Sequence, residues 1–116
     1  MAVHTFTITD WHPVKLNDLI GRHWGVVKAR KDKDKLTVFY ASINTPKAEG
    51  KRRVTVTITL GPRQHGADPD AYFKGLGDSL QYAGMLRNDN KESVEWAPVE
   101  YVRGERMATT IKLEDI

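Results

Sequence analysis

Alternating apolar and polar positions predict four β-strands in this chain. The clearest alternation spans residues 54–60, where Val54, Val56, Ile58 and Leu60 are separated by single threonines. Strict alternation is the pattern of a strand that buries one face and exposes the other. The four predicted strands are residues 3–8, 54–60, 94–102 with an interruption at Pro98, and 107–113.

A helical period predicts an α-helix over about residues 26–43. Leu36, Phe39, Tyr40 and Ile43 recur at positions i, i+3, i+4 and i+7, which one face of an α-helix brings together. The β-branched and aromatic residues in this segment would also fit a strand, but the spacing favours the helix. Its first turns carry charged residues that we expect to be solvated, namely Lys28, Arg30, Lys31, Asp32, Lys33, Asp34 and Lys35.

A second helix is predicted over about residues 69–83. Asp68 is a favourable N-cap, Pro69 suits the first helical position, and Gly84 is a favourable stop. Its apolar stripe is formed by Phe73, Leu76, Leu80 and Ala83. Gly75 and Gly77 should each cost on the order of 1 kcal/mol of helix stability relative to alanine. We therefore expect another element to pack closely against them.

The order β, α, β, α, β, β predicts an α+β fold with a mixed sheet and two main helices. With 116 residues, the chain is long enough for one domain with its own core, covering residues 1–116. No apolar run approaches the roughly 20 residues of a membrane-spanning helix, and residues 1–10 lack the apolar centre of a signal peptide. We therefore expect a cytoplasmic protein that does not engage a membrane.

Composition excludes several kinds of functional site. The chain has no cysteine, which rules out disulfides, thiolate metal ligands and a cysteine nucleophile. The four histidines are scattered without the spacing of zinc ligands, and no glycine-rich phosphate loop or nucleophile elbow is present. The main ligands that the chain offers to a metal ion are therefore oxygen atoms.

Charge is distributed unevenly along the chain. The net charge is +3, but residues 1–53 carry +6 and residues 54–116 carry −3. A basic surface beside an acidic pocket suits an enzyme that holds a polyanion and binds divalent cations. A solvated basic helix on an ordinary domain would give the same charge pattern.

A cluster of charged residues marks the start of the predicted second helix. Asp68 and Asp70 lie where a strand is followed by a helix, and Lys74 follows Asp70 by one turn. Divalent cations held by carboxylates can activate a water and stabilise the departing oxygen in phosphodiester hydrolysis. The same aspartates would also make a good helix start without any function, and Asp89 alone fits an ordinary turn. Only the combination of acids and lysine indicates chemistry.

From about Val54 to Leu113 the chain resembles the RusA-type Holliday junction resolvases. The matching features are a strand, a basic polar loop and the pattern Asp-x-Asp-x-x-x-Lys-x-x-x-Asp-x-Leu from Asp68 to Leu80. A glycine before a short apolar step, then Asp89 and two strands complete the match. Within residues 1–53, Pro13 followed by Asn17 and the basic Arg22-His23 pair are similar to the family's N-terminal loop.

The resemblance implies a Mg²⁺-dependent endonuclease that acts in DNA recombination and repair. Asp68, Asp70 and Asp89 would bind Mg²⁺, with Mn²⁺ as a substitute, and Lys74 would assist as the fourth catalytic residue. A two-fold homodimer would nick two strands of a four-way DNA junction symmetrically, as a C₂ enzyme meeting a pseudo-symmetric substrate should. The host would be a bacterial cell, with a phage-encoded origin also open.

Basic residues of the N-terminal loop and first helix are expected to hold the phosphates of branched DNA. The predicted DNA-binding residues are Arg22, His23, Lys28, Arg30, Lys31 and Arg63. Large aromatic residues are more often core or dimer contacts, and Trp24, beside basic residues, is the one tryptophan to test for DNA contact.

Two positions depart from the family pattern. Ala71 follows Asp70 where the family often has asparagine, and Asn88 precedes Asp89 where a second acid is common. These departures favour an alternative, a branched-DNA-binding protein on the same scaffold with weakened or absent catalysis. A structural protein whose acids only cap a helix is a third reading.

Overall fold

The computed structural model describes residues 2–13, 23–62 and 70–116, which fold into a mixed sheet and two helices. The elements are β1 (Val3–Thr9), α1 (Trp24–Ala41), β2 (Arg52–Leu60), α2 (Asp70–Tyr82), β3 (Val94–Trp96), β4 (Glu100–Arg103) and β5 (Ala108–Asp115). The predicted α+β class is confirmed, with the strand around Pro98 divided into β3 and β4.

The five strands are arranged around β5 and β2. β5 lies between β1 and β2 and is antiparallel to both, so β1 and β2 run in the same direction. β3 and β4 follow one another along the other edge of β2, both parallel to it. Pro98 falls between them, where a residue without a backbone N–H interrupts the ladder.

One face of the sheet forms the core with both helices. Val54, Val56 and Ile58 of β2 are fully or almost fully buried together with Ile111 and Leu113 of β5. The helices add their own buried residues, Val38, Tyr72, Leu76, Leu80 and Ala83, to the same cluster. The alternation that predicted β2 is therefore the pattern of a strand with one face in this core.

The opposite face of the sheet is polar and carries a row of threonines. Thr7 and Thr57 lie on either side of Thr110 in the register of β1, β5 and β2. The hydroxyls of Thr7 and Thr110 are 3.0 Å apart and share a hydrogen bond. We call this polar side of β1, β5 and β2 the threonine face.

The predicted first helix is confirmed as α1. The side of α1 that faces the core, however, is not the side that carries its apolar stripe. Its two buried residues are Asp34 and Val38. Leu36, Tyr40 and Ile43, which gave the helical period, are 47%, 65% and 63% exposed. The strongest apolar pattern of this helix thus faces solvent.

α2 confirms the predicted second helix, with one change in its apolar stripe. Tyr72 is buried, whereas Phe73 is only partly buried and stacks on Trp96 of β3 with ring centroids 4.7 Å apart. Gly84 follows the helix with φ of 79°, a left-handed conformation that glycine adopts without strain. The predicted cap and first residue, Asp68 and Pro69, lie outside the described residues.

The predicted close approach to α2 is confirmed at Gly77. A Cβ atom at this position would lie 3.4 Å from Cζ2 of Trp96 and 3.7 Å from Cβ of Asp89. β3 and the loop before it therefore pack against the helix at Gly77, at a distance that still leaves room for a Cβ atom.

The two helices pack side by side and run in the same direction. Lys35 and Asp78 line one groove together, and the rings of Phe39 and Tyr82 are 6.2 Å apart. Since the later residue of α1 pairs with the later residue of α2, both helices begin at the same end of the molecule. Neither helix in the described segments has the length and apolar character that crossing a membrane requires.

Candidate active site

The candidate site lies where α2 begins. β1 and β2 end at the same edge of the sheet, because they are parallel, and the helix that follows each strand starts from that edge. Side chains beyond the carboxyl ends of parallel strands commonly form binding sites in open sheets with helices. α2 begins at Asp70. Asp68 and the Asp70 side chain lie outside the part of the chain that the structure describes.

Asp89 lies beside the face of α2 that begins with Asp70. Gly77, which Asp89 contacts, follows Asp70 by seven residues, or nearly two full turns. Asp70 and Gly77 therefore lie on one line along the helix, about 10 Å apart. The loop that follows α2 thus carries Asp89 back along the Asp70 side of the helix.

The loop around Asp89 is held by two asparagines. The backbone N–H of Asp89 donates to Oδ1 of Asn88 at 2.7 Å, and that of Ser93 donates to Oδ1 of Asn90 at 3.1 Å. Such contacts from asparagine to nearby backbone are common in turns. Asn88, one of the two departures from the family pattern, therefore turns its amide oxygen toward the loop, while the Asp89 carboxylate belongs to an exposed residue.

Lys74 is exposed on α2, one turn after Asp70. Lys31 of α1 precedes Lys35 by one turn, just as Lys74 precedes Asp78, so the parallel helices place Lys31 and Lys74 at the same level. Neither lysine forms an ion pair within the described segments. Two ammonium groups are thus available along the paired helices toward the start of α2.

Two of the predicted DNA-binding residues on α1 are engaged with acids of the same helix. Nζ of Lys28 donates to the Asp32 carboxylate at 2.6 Å, and this hydrogen bond is the main reason why the pKa of Asp32 is lowered. Nε of Arg30 donates to Asp34 at 3.2 Å, and its Nη2 donates to the carbonyl of His12 at 3.4 Å. Lys31 is therefore better placed than either of them to contact a phosphate.

The expectation that this whole charged run is solvated is wrong at Asp34. Its side chain is only 4% exposed and also accepts a hydrogen bond from the indole N–H of Trp11 at 3.1 Å. Asp34 thereby joins α1 to the segment after β1. The sequence signal for this contact is weak, because Asp34 looks like its exposed neighbours and Trp11 is 23 residues away.

His23 and Trp24 form the exposed start of α1. Nδ1 of His23 accepts a hydrogen bond from the backbone N–H of Gly25 at 3.1 Å, so His23 is the N-cap. A ring that accepts at Nδ1 carries its proton at Nε2 and can donate there to a phosphate. Trp24 is 74% exposed. Arg22 and Arg63 lie outside the described residues.

The donors that the structure describes near α2 suit a hard cation. Asp89 supplies carboxylate oxygens, which Mg²⁺ prefers, and no thiolate is present in the chain. Within residues 2–13, 23–62 and 70–116, no group of three acidic, histidine or cysteine side chains converges on one point. A metal site on these residues would therefore need the acids at the start of α2.

Comparisons with protein-family models and with curated proteins give no match for this chain.

Proposed function

We propose that this protein is a Mg²⁺-dependent endonuclease that nicks branched DNA, such as a four-way junction, as a homodimer in the bacterial cytoplasm. The observation that carries the proposal is the position of Asp89 on the Asp70 side of α2, with Lys74 on the same helix. Asp89 and Lys74 thus lie along the helix that Asp70 begins, which supports a shared site.

Asp68, Asp70 and Asp89 would hold the metal ion, which when bound would activate water and stabilise the leaving oxygen. The exposed ammonium group of Lys74 would stabilise negative charge on the phosphoryl group. Lys31 would hold a neighbouring phosphate from the first helix. His23 would add a hydrogen bond, and Trp24 would stack on a base exposed at the branch.

The experiment incubates the protein with a synthetic four-way junction or a linear duplex, in Mg²⁺ or in chelator. We expect paired nicks in the junction alone, and only with Mg²⁺. Asp70→Asn should lower the nicking rate by about 10³-fold or more, because losing a metal ligand removes several kcal/mol of transition-state stabilisation and each 1.36 kcal/mol is a factor of ten. Binding of the junction should survive in this variant.

Asp78→Asn is the matched control, since it removes one carboxylate from the same helix two turns further on. It should nick at close to the wild-type rate. Nicking by Asp70→Asn at the wild-type rate would overturn the assignment. Junction binding without nicking in the wild-type protein would instead support the alternative of a branched-DNA-binding protein. Ala71 and the Asn88 amide oxygen, which is engaged by the Asp89 backbone N–H, point to that alternative.

A further inference from the structure

Five exposed apolar side chains belong to the later turns of the two helices and the residues just after α1. They are Leu36, Phe39, Tyr40 and Ile43, with Tyr82 of α2, and their exposed fractions lie between 37% and 65%. The ring of Phe39 contacts both neighbouring tyrosine rings, with centroids 5.5 Å from Tyr40 and 6.2 Å from Tyr82. We call these five residues the apolar patch.

We propose that the apolar patch is the surface through which two copies of this chain form a two-fold dimer. This proposal rests on the proposed function, because it says where the two copies of that homodimer meet. Its physical basis is separate and is the exposure of the apolar patch. It can therefore be tested without measuring nicking.

The size of the patch fits a self-association surface. A fully exposed aromatic side chain presents about 150–250 Å² and an aliphatic one somewhat less, so the observed fractions leave on the order of 500 Å² of mainly apolar surface. An exposed patch of this size on a monomer commonly marks an interaction site. Two copies in contact would bury about 1,000 Å², which is where specific protein interfaces begin.

The arrangement of the patch also fits a second copy of the same chain. Leu36 and the Phe39–Tyr40 pair follow one line along the outer side of α1, and Ile43 comes just after the end of the helix. Two such helices packed antiparallel about an axis near Tyr40 would bring Leu36 of each copy against Ile43 of the other. A C₂ interface requires this kind of self-complementary surface.

Charged residues border the patch, and their arrangement also favours a second copy of this chain as its occupant. Lys33 and Asp32 precede Leu36 on the outer side of α1, and Lys35 and Asp78 line the groove beside Tyr82. Acidic and basic groups alternate around an apolar centre, as at a protein interface with a polar rim. A surface for DNA alone would be basic throughout.

The first test measures mass in solution. Sedimentation at tens of micromolar protein should give twice the 13.2 kDa of the chain. Leu36→Glu and Tyr40→Glu each place two charges, one per copy, in the interface and should weaken dimerisation by about 100-fold or more. Val26→Glu is the matched control, because Val26 is 55% exposed on the same helix but outside the patch, and this variant should remain a dimer.

A second test does not depend on a charged residue being tolerated. The chain has no cysteine, so Tyr40→Cys introduces a single thiol close to the proposed axis and should form a disulfide-linked dimer on oxidation. Val26→Cys should cross-link far more slowly. A wild-type monomer at tens of micromolar, a dimer unaffected by both glutamate substitutions, or equal cross-linking of the two cysteine variants would each overturn the proposal.

Failure of this proposal and failure of the proposed function can be told apart. A monomer that nicks a junction would overturn the dimer surface and leave the nuclease standing. A protein that dimerises through the patch in both tests but does not nick the junction would support the dimer surface and overturn the nuclease.

Discussion

Asp34 shows how a single side chain ties the first strand to the first helix. Its buried carboxylate accepts hydrogen bonds from Trp11, which follows β1, and from Arg30, which precedes it by one turn of α1. Arg30 in turn reaches the backbone carbonyl of His12. A buried carboxylate with charged and neutral donors holds its neighbours in place, and removing it takes the acceptor from a partly buried indole N–H and from a partly exposed guanidinium.

Asp34→Ala should lower the free energy of unfolding by about 2–3 kcal/mol, since hydrogen bonds to charged groups contribute about 1.5–3 kcal/mol. The midpoint of thermal unfolding should fall by about 4 °C or more for each kcal/mol. Asp32→Ala is the control, because Asp32 pairs with Lys28 on the exposed surface, where a single ion pair adds little to stability. Equal losses in the two variants would show that Asp34 has no special structural role.

At the scale of elements, local periodicity predicted the strands and helices because each period reports which residues share a face. It identified β2 and α2 well, with bounds within about two residues. It found α1 from a stripe that faces solvent, since periodicity shows that residues share a face but not what covers that face. The hydrogen bond between Trp11 and the buried Asp34 could not be predicted, because a long-range polar contact leaves no local pattern.

The same limit applies to the candidate site. The approach of another element to Gly77 could be expected from the cost of glycine in a helix, and it is this approach that brings Asp89 beside α2. The residues that approach Gly77 could not be predicted, because Trp96 and Asp89 reach the helix through the fold of a loop. The roles of Asp68, Asp70 and Lys74 in metal binding and catalysis remain predictions.

Two glycines, Gly77 within α2 and Gly84 just after it, offer a test at this scale, since alanine should have opposite effects at the two positions. At Gly77 a Cβ would make ordinary contacts and remove the entropy cost of glycine, so Gly77→Ala should stabilise the protein by up to about 1 kcal/mol. At Gly84 the φ of 79° disfavours any Cβ, so Gly84→Ala should destabilise it by roughly 1–2 kcal/mol. Urea unfolding of the two variants would measure both changes, and a shared sign would contradict this account.

The whole molecule has two unlike sides. The helices and their lysines lie on one side of the sheet, and the threonine face lies on the other. The threonine face carries Lys112 in its β5 row, paired with Glu114 at 3.5 Å. A polyanion should therefore approach from the helical side.

Salt dependence of DNA binding tests this difference between the sides. Lys31→Ala should weaken binding to a four-way junction and reduce the log-log slope of affinity against salt by about one unit, as expected for one lost phosphate contact. Lys112→Ala removes the same charge from the threonine face and should leave the slope unchanged. Equal slopes for wild type and Lys31→Ala would place DNA elsewhere on the molecule.

The shared direction of α1 and α2 has an electrostatic consequence for the molecule as a whole. Each helix behaves as though it carried about half a positive charge at its first turn and half a negative charge at its last. In antiparallel neighbours these partial charges would largely cancel. Here they add, so the end of the domain at which His23 and Asp70 begin the helices attracts anions through its peptide groups alone.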